Sequence, residues 1–149
     1  MAQQTAISVT EVLNKQISNW SVLYVKLHHY HWFVKGSQFF TLHTKFEELY
    51  DEAAQYIDEL AERVLAIGGK PLSTMKDYLA QSTVKEAAGN ESAEAMVKAL
   101  AADFGTVIGE LQEGIKAAEA AEDESTVDMF IGMHTALEKH VWMLKSFLG

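Results

Sequence analysis

Proline occurs only once in the 149 residues, at Pro71, so almost nothing in the chain interrupts a helix. A proline breaks a helix because its ring removes a backbone donor and clashes with the preceding turn. On both sides of Pro71, apolar residues recur every three or four positions, which is the period of one helix face. The sequence therefore predicts an all-α fold built from long helices.

Four apolar stripes divide the chain into four long helices. The first lies between about residues 8 and 35 and contains Val9, Leu13, Trp20, Leu23, Leu27 and Val34. The second contains Leu42, Phe46, Leu49, Ala53, Ile57, Leu60, Val64 and Ile67. The third contains Val97, Leu100, Phe104, Val107, Leu111 and Ile115. The fourth contains Val127, Phe130, His134, Leu137, Val141, Leu144 and Leu148. This pattern predicts a four-helix bundle.

Turn and capping residues give the boundaries of these helices. Gly36 interrupts the pattern between the first two, and the glycines before Pro71 end the second. Thr74 and Asp77 have N-cap spacing, which predicts a short extra helix over "STMKDYLAQ", in the crossover between the second and third long helices. Asn90 is the expected N-cap of the third long helix. We expect residues 1–149 to form a single domain.

The charge of the chain excludes some function classes. Its 21 Asp and Glu residues exceed its 12 Lys and Arg residues, giving a net charge of −9, whereas binding a phosphate backbone requires clustered cations. The first basic residue is Lys15, and only Lys145 lies in the last nine residues, so we expect no basic arm. No apolar run approaches the roughly 18 residues of a membrane span. Without cysteines or an export signal, a cytoplasmic location is expected.

Residues 28 to 63 concentrate the side chains that bind metals. His43 and Glu47 are four positions apart, as are Asp58 and Glu62, so each pair projects from one face of the second helix. The turn at residue 36 allows His31, near the end of the first helix, to approach His43. Glu47 and Asp58 share a face but stand about 16 Å apart along the axis, so one ion cannot contact both.

The ladder of positions 43, 47, 51, 54, 58 and 62 is symmetric about its own midpoint. A second copy of this helix, packed antiparallel about that point, brings Glu47 level with the partner's Asp58 and His43 level with the partner's Glu62. A two-fold dimer supplies this geometry because the same patch contacts itself. The sequence therefore predicts two identical metal sites per dimer, each built from both chains.

The predicted ligands are two imidazoles and three carboxylates without sulfur. This set suits iron, and it also accepts zinc, manganese or cobalt. Bundle proteins that bind iron within one chain commonly use a Glu-x-x-His pair, and no glutamate of this chain has a histidine three residues later. The missing pair favours a site between subunits.

The segments "HHYHW", "GSQFFTLH", "KFEELY" and "IDELAER" resemble, in sequence and spacing, the signature of the Dps family, the miniferritins of bacteria and archaea. The resemblance continues through "LAIGGKP" to "KHVWMLKSFLG" and covers essentially the whole chain. It implies a ferritin-like bundle and a hollow dodecamer built from two-fold dimers. It further implies oxidation of Fe(II), preferentially by hydrogen peroxide, at the dimer interface and storage of the ferric mineral inside. The implied ligands are His31, His43, Asp58 and Glu62.

Other residues are assigned by the same resemblance. Glu47 stands where the family commonly has aspartate, and Trp32 matches an aromatic residue near the irons, where it could supply an electron. Five acids without a balancing base occupy residues 119 to 128, where the family has iron-entry pores, and the candidate pore residues are Glu119, Asp123, Glu124 and Asp128. Family members that bind DNA usually carry lysine-rich tails, so DNA binding is not expected here.

Four histidines are not assigned as ligands. His28 and His29 are expected beside the site or on the surface, His134 in the core, and His140 at a subunit contact or in solvent. Two alternative functions stay open at this point. One is a nucleoid protein that coats DNA, which the lack of a basic tail disfavours. The other is a helical oligomer with a zinc site and no redox turnover, since zinc accepts the same ligands.

Overall fold

The computed structural model describes residues 7–149, which form five helices and no strand. They are α1 (Val9–Phe33), α2 (Phe39–Ala66), α3 (Met75–Gln81), α4 (Ala93–Ala120) and α5 (Glu124–Leu148). The four long helices form a bundle, and the short α3 lies in the crossover from α2 to α4, as predicted. Within the described range, no helix is both long and apolar enough to cross a lipid bilayer.

Two helical hairpins make up the bundle, α1 with α2 and α4 with α5, and the helices of each hairpin pack most closely against each other. Gly36, at a φ of 107°, turns the chain between α1 and α2, a conformation that favours glycine. Gly68, at a φ of 87°, ends α2 as the sequence predicts. Between α4 and α5 the turn uses Glu122 at a φ of 59°.

The crossover from α2 to α4 runs along α1 and is held there by hydrogen bonds. Four α1 side chains hold it in chain order: Asn14 bonds Lys70 and Leu72, Asn19 bonds Thr83, Lys26 bonds the Lys85 carbonyl and Tyr30 bonds Glu91. Because the crossover returns the chain to the other end of the bundle, α4 runs antiparallel to α1. The Lys26–Asp103 ion pair at 2.8 Å joins these two helices.

The predicted stripes form the core. Leu13, Leu27, Phe46, Leu111 and Leu137 are among the side chains with no exposed surface. Burying a side chain of this size contributes about 1.5–3 kcal/mol relative to leaving it in water. Since each stripe lies on one face of its helix, the opposite faces of α2 and α5 remain exposed and carry the charged residues discussed below.

The N-cap predictions hold for α3 and fail for α4. Thr74 accepts a hydrogen bond from the Asp77 amide at 3.2 Å, which confirms the predicted cap of α3. Asn90 does not cap α4; Ser92 does, by accepting from the Ala95 amide at 3.1 Å. Asn90 and Ser92 have equally suitable side chains, and Ser92 is the one adjacent to the first helical residue.

The expectation of a core position for His134 was wrong, and so was the expectation that His140 could face solvent. His140 does not face solvent: it lies between α2 and α5, with its Nε2 2.7 Å from the Glu52 Oε2, and its side chain is 16% exposed. Tyr56 donates a second hydrogen bond to Glu52. His134 lies at the edge of the core instead of within it, because its ring bonds Gln112 at 3.3 Å.

Candidate metal centre

His31 and His43 are joined by two reciprocal hydrogen bonds across the α1–α2 hairpin. The His31 Nδ1 lies 2.6 Å from the His43 carbonyl oxygen, and the His43 Nδ1 lies 2.7 Å from the His31 carbonyl oxygen. Their rings stack, with centroids 3.7 Å apart and planes 13° apart. The last turn of α1 and the first turns of α2 thus hold the two imidazoles as one unit.

These hydrogen bonds fix the tautomer of both histidines. A carbonyl oxygen can only accept, so each Nδ1 carries a proton and each neutral ring keeps its lone pair on Nε2. Metal-binding histidines typically donate one ring N–H to a protein acceptor in this way and bind the metal with the other nitrogen. The two backbone bonds therefore leave Nε2 as the nitrogen of each ring that is available to a cation.

Glu47 completes the part of the site that one chain assembles. Its Oε1 lies 3.8 Å from the His31 Nε2, and its side chain is 54% exposed whereas that of His31 is 8% exposed. The distance is longer than a hydrogen bond, so the carboxylate is close to the imidazole without being closed onto it. The structure brings together His31, His43 and Glu47, three of the five predicted ligands.

Asp58 and Glu62 lie further along α2 and are both exposed. Among the described residues neither forms a salt bridge. The rise of the helix separates Glu47 from Asp58 by about 16 Å, as expected from their spacing. One chain therefore carries two separate groups of predicted ligands on the same helix.

Within residues 7–149 of one chain, no three His, Cys, Asp or Glu side chains are grouped so that they could hold a metal ion. The stacking of His31 and His43 accounts for this, because two parallel rings cannot both aim at one ion. The trio predicted on this hairpin is thus assembled, but it does not surround a single point.

An aromatic group surrounds the histidine pair. The Tyr50 ring stands edge-on to His31, with centroids 5.3 Å apart, and His28 stacks on Tyr50 at 3.8 Å. His28 lies therefore beside the candidate site, as predicted. The Trp32 ring lies 5.3 Å from His28 and is 66% exposed. The stacking of Phe39 on His43, at 4.8 Å, was not predicted from the sequence.

The acidic turn between α4 and α5 is only partly free. Glu119, Glu124 and Asp128 are exposed. Asp123 instead caps α5 and accepts a hydrogen bond from Arg63 at 2.7 Å. Burial opposes its ionisation, but the bonds from Thr126 and Arg63 outweigh this and lower the pKa of Asp123. The sequence-based view that this group lacks a balancing base was wrong for Asp123, because Arg63 lies far away in sequence.

Comparison with known proteins identifies the family. The profile of the Ferritin family, described as a ferritin-like domain, matches residues 10–149. The chain is 58% identical to DNA protection during starvation protein 2 of Bacillus anthracis over 95% of its own length and 97% of the relative. The crystal structure of Dps from Staphylococcus aureus superposes with a TM-score of 0.94 at 55% identity, covering 95% of both chains. The chain belongs to the Dps family.

The structure of a third Dps relative was obtained after soaking with a metal ion. The structure of Listeria innocua Dps soaked with cobalt is 38% identical to this chain, with a TM-score of 0.94, and covers 100% of this chain and 97% of its own. The resemblance found in the sequence and the ferritin-like fold of this Dps-family chain are confirmed. The roles of individual residues are argued below from the geometry.

Proposed function

We propose that this Dps-family chain is a ferroxidase and iron-storage protein. It oxidises Fe(II), preferentially with hydrogen peroxide, at sites shared by two subunits, and it stores the ferric product as mineral inside a hollow shell of twelve subunits. Iron is both substrate and cargo of this reaction. The observation that carries the proposal is the His31–His43 pair, in which both Nδ1 atoms are bonded to backbone and both Nε2 atoms are left as ligands.

The second half of each site comes from a neighbouring chain. The exposed positions of α2 include Glu47, Asp51, Ala54, Asp58 and Glu62, which make up most of the symmetric ladder. Small Ala54 permits the close approach of a second α2 packed antiparallel. In that dimer the partner's Asp58 and the partner's Glu62 face the histidine pair. Metal ions bound there balance the negative charge of these carboxylates, which form no salt bridge among the described residues of one chain.

Two ions per site follow from the ring geometry. Each Nε2 of two parallel imidazoles, with centroids 3.7 Å apart, aims at its own point. Sites that hold two metal ions usually place them about 3.5–4 Å apart. His31 and His43 therefore each hold one Fe(II), and carboxylates from Glu47 and the partner chain complete both.

The chemistry follows from this charge and this number of ions. Anionic carboxylates stabilise Fe(III) more than Fe(II) and so favour electron loss. Two Fe(II) ions, one hydrogen peroxide and two protons give two Fe(III) ions and two water molecules. The balance requires both irons at once, since one electron alone would release a hydroxyl radical. Paired binding thus removes iron and peroxide together and protects the cell from oxidative damage.

Trp32 is proposed as a redox-active neighbour of this centre. It follows His31 directly in sequence, and its exposed ring contacts His28. In the dimer the same ring is expected to pack against the partner subunit. Beside the irons, it can supply one electron when a site holds a single Fe(II).

The acidic turn is proposed as the entry pore for Fe(II). Glu119, Glu124 and Asp128 are exposed at adjoining helix ends, and several kT of negative potential in a narrow channel would concentrate cations. Asp123 lies on the same surface. Its ion pair with Arg63 fixes the turn and partly neutralises the negative charge of Asp123.

The experiment that tests the function is an anaerobic titration with Fe(II) followed by addition of hydrogen peroxide. We expect a ferric absorbance rise with two irons oxidised per peroxide consumed. A ferric rise without matching loss of peroxide would contradict the proposal. A sedimentation mass separately tests the shell of twelve subunits.

A site that holds zinc without redox turnover is the alternative that the ligand types allow. The cobalt soak of Listeria innocua Dps is in line with a site that accepts ions other than iron. Manganese belongs to the same group of substitutes. Tight zinc occupancy that Fe(II) cannot displace, with no peroxide consumption, would favour this alternative.

Coating of DNA is the less favoured alternative. The net charge of −9 repels a phosphate backbone, so we expect a DNA duplex to migrate freely in a gel at low salt in the presence of the protein. The name of the Bacillus anthracis relative refers to DNA protection. For this chain we propose that protection comes from removing iron and peroxide.

A further inference from the structure

The first residue of α2 contacts the candidate metal centre. Phe39 begins α2, and its amide donates to the Gly36 carbonyl at 3.1 Å, which fixes the residue at the end of the hairpin turn. His43 follows four residues later, so both side chains project from one helix face. The Phe39 ring is partly buried and packs against the core.

Phe39 ends a column of stacked rings. Its centroid lies 4.8 Å from that of His43, with the planes 19° apart, and His43 stacks in turn on His31 at 13°. Tyr50 contacts His31 at a plane angle of 88°, with centroids 5.3 Å apart. The two imidazoles are therefore flanked by Phe39, which contacts His43, and by Tyr50, which contacts His31.

We propose that Phe39 is a positioning residue of the metal centre, which holds both imidazoles in the orientation that presents their Nε2 atoms to divalent cations. This inference rests on the proposed function, because it concerns the same site. It adds a residue that contributes no ligand atom and that ligand spacing alone would not reveal.

The physical reason lies in how a histidine ring is restrained. The torsion between Cβ and an imidazole has broad minima, so the ring is free to rock about its single Nδ1 hydrogen bond. A flat ring on the outer face of His43 blocks that motion, and stacking on His31 transmits the restraint to the second imidazole. Without Phe39, the two Nδ1 bonds remain but the direction of each Nε2 varies.

A matched control lies next in sequence. Phe40 is 83% exposed, and its ring meets Phe39 edge-on at 5.5 Å. Phe40→Leu therefore removes a phenyl ring beside the site without removing the stack. Phe39→Leu removes the stack and keeps an apolar side chain, and Phe39→Tyr restores a flat ring.

The test uses the assembled protein, with Co(II) as the probe. We expect Phe39→Leu to lower Co(II) affinity by about tenfold, the lower end of what outer residues of metal sites contribute, and to alter the visible spectrum of bound Co(II). Phe39→Tyr should restore both, and Phe40→Leu should leave both as in the parent. Equal affinity and spectrum for parent and Phe39→Leu would overturn the inference, and so would equal losses for Phe39→Leu and Phe39→Tyr.

A second readout needs no metal. In chelator-treated protein labelled at histidine 13Cε1, the NMR signal of His43 should move in Phe39→Leu, because the ring current of Phe39 is lost, and should return in Phe39→Tyr. Failure of the proposed function is distinguishable: the parent then binds Co(II) in the Phe39-dependent way but does not couple Fe(II) oxidation to peroxide. Failure of the inference leaves that coupling intact while Phe39→Leu matches the parent in cobalt binding.

Discussion

Three histidine–glutamate pairs lie among the described residues, and the two that include a glutamate of α2 are built in opposite ways. In the first, the Nε2 of His31 and the Glu47 carboxylate are 3.8 Å apart, and the Nδ1 of His31 is bonded to backbone. In the second, the Nε2 of His140 and the Glu52 carboxylate are 2.7 Å apart. The His140 Nδ1 is buried and has no hydrogen-bond partner among the described residues.

The difference teaches what separates a binding site from a structural pair. A ligand histidine has its far nitrogen satisfied by the protein and its near nitrogen left open. His31 fits this description, and His140 reverses it, because its Nε2 is closed onto Glu52. Tyr56 occupies the other Glu52 oxygen. We therefore interpret the first pair as part of a cation site and the second as a structural contact between α2 and α5.

The largest effect should come from removing a ligand of the first pair. We expect His31→Gln to lower Co(II) affinity by about 100-fold, since deleting a ligand costs at least as much as deleting its hydrogen-bond partner. His140→Gln should leave Co(II) affinity as in the parent. Calorimetric titration of both variants measures this, and a comparable loss in His140→Gln would remove the distinction between the two pairs.

Stability should respond in the opposite order. Glu52→Gln weakens the bonds from His140 and Tyr56 in a half-buried place, so we expect the free energy of unfolding of chelator-treated protein to fall by about 1–3 kcal/mol. Glu47→Gln, at an exposed position, should change it by less than about 0.5 kcal/mol. Urea unfolding followed by circular dichroism compares them. If Glu47→Gln were the more destabilising variant, Glu47 would be the structural residue of the two.

The contribution of the Glu52–His140 contact to the free energy of unfolding should depend on pH. Burial raises the pKa of Glu52. The hydrogen bonds from His140 and Tyr56 and the charges of His140 and Lys45 lower this pKa by a larger amount, so it lies below its usual value of 4.5. A carboxylate with a lowered pKa stabilises the fold above the unfolded-state pKa, and this contribution disappears as the pH falls through the folded-state pKa.

The difference in unfolding free energy between parent and Glu52→Gln should therefore be fully developed at about pH 5 to 6 and should shrink as the pH falls below this range. Urea unfolding of metal-free protein at a series of values between about pH 3 and about pH 6 provides the measurement. A difference that is as large at pH 3 as at about pH 6 would show that ionised Glu52 is not its source.

The smallest effect concerns the length of one ligand. Glu47 is 54% exposed, and its Oε1 lies 3.8 Å from the His31 Nε2. Glu47→Asp keeps the charge and withdraws the carboxylate by about 1.5 Å, one carbon–carbon bond. We expect Co(II) affinity to fall by less than about tenfold. The same titration decides, with His31→Gln as the reference for a full ligand loss; equal losses in the two variants would make Glu47 as important as His31.

Much of this molecule could be predicted from the sequence, and the limits have physical causes. The helices followed from apolar periodicity and from the single proline, because burial of one face dictates the period. The closeness of His31 and His43 followed from a turn that folds neighbouring segments together. Their reciprocal bonds and the Phe39 stack could not be predicted, since they depend on ring rotations that spacing does not specify.

Two of the errors share one cause, which is contact between segments distant in sequence. Glu52 and His140 are 88 positions apart, and Arg63 and Asp123 are 60 apart, so no local pattern connects them. Residue type alone does not distinguish a histidine at the exposed end of a helix from one in a buried polar contact. Only the contact of Glu52 on α2 with His140 on α5 distinguishes the two, and it contradicts the expectation that His140 faces solvent.

The most direct test of a shared site is to combine two inactive chains in one oligomer. One carries His31→Gln and His43→Gln, and the other carries Asp58→Asn and Glu62→Gln; each alone should lack peroxide-coupled Fe(II) oxidation. When the two are co-expressed in equal amounts, random two-fold pairing leaves all ligands in about a quarter of the sites. We predict recovery of about a quarter of the parent activity. Mixed oligomers as inactive as either chain alone would contradict a centre built from two subunits.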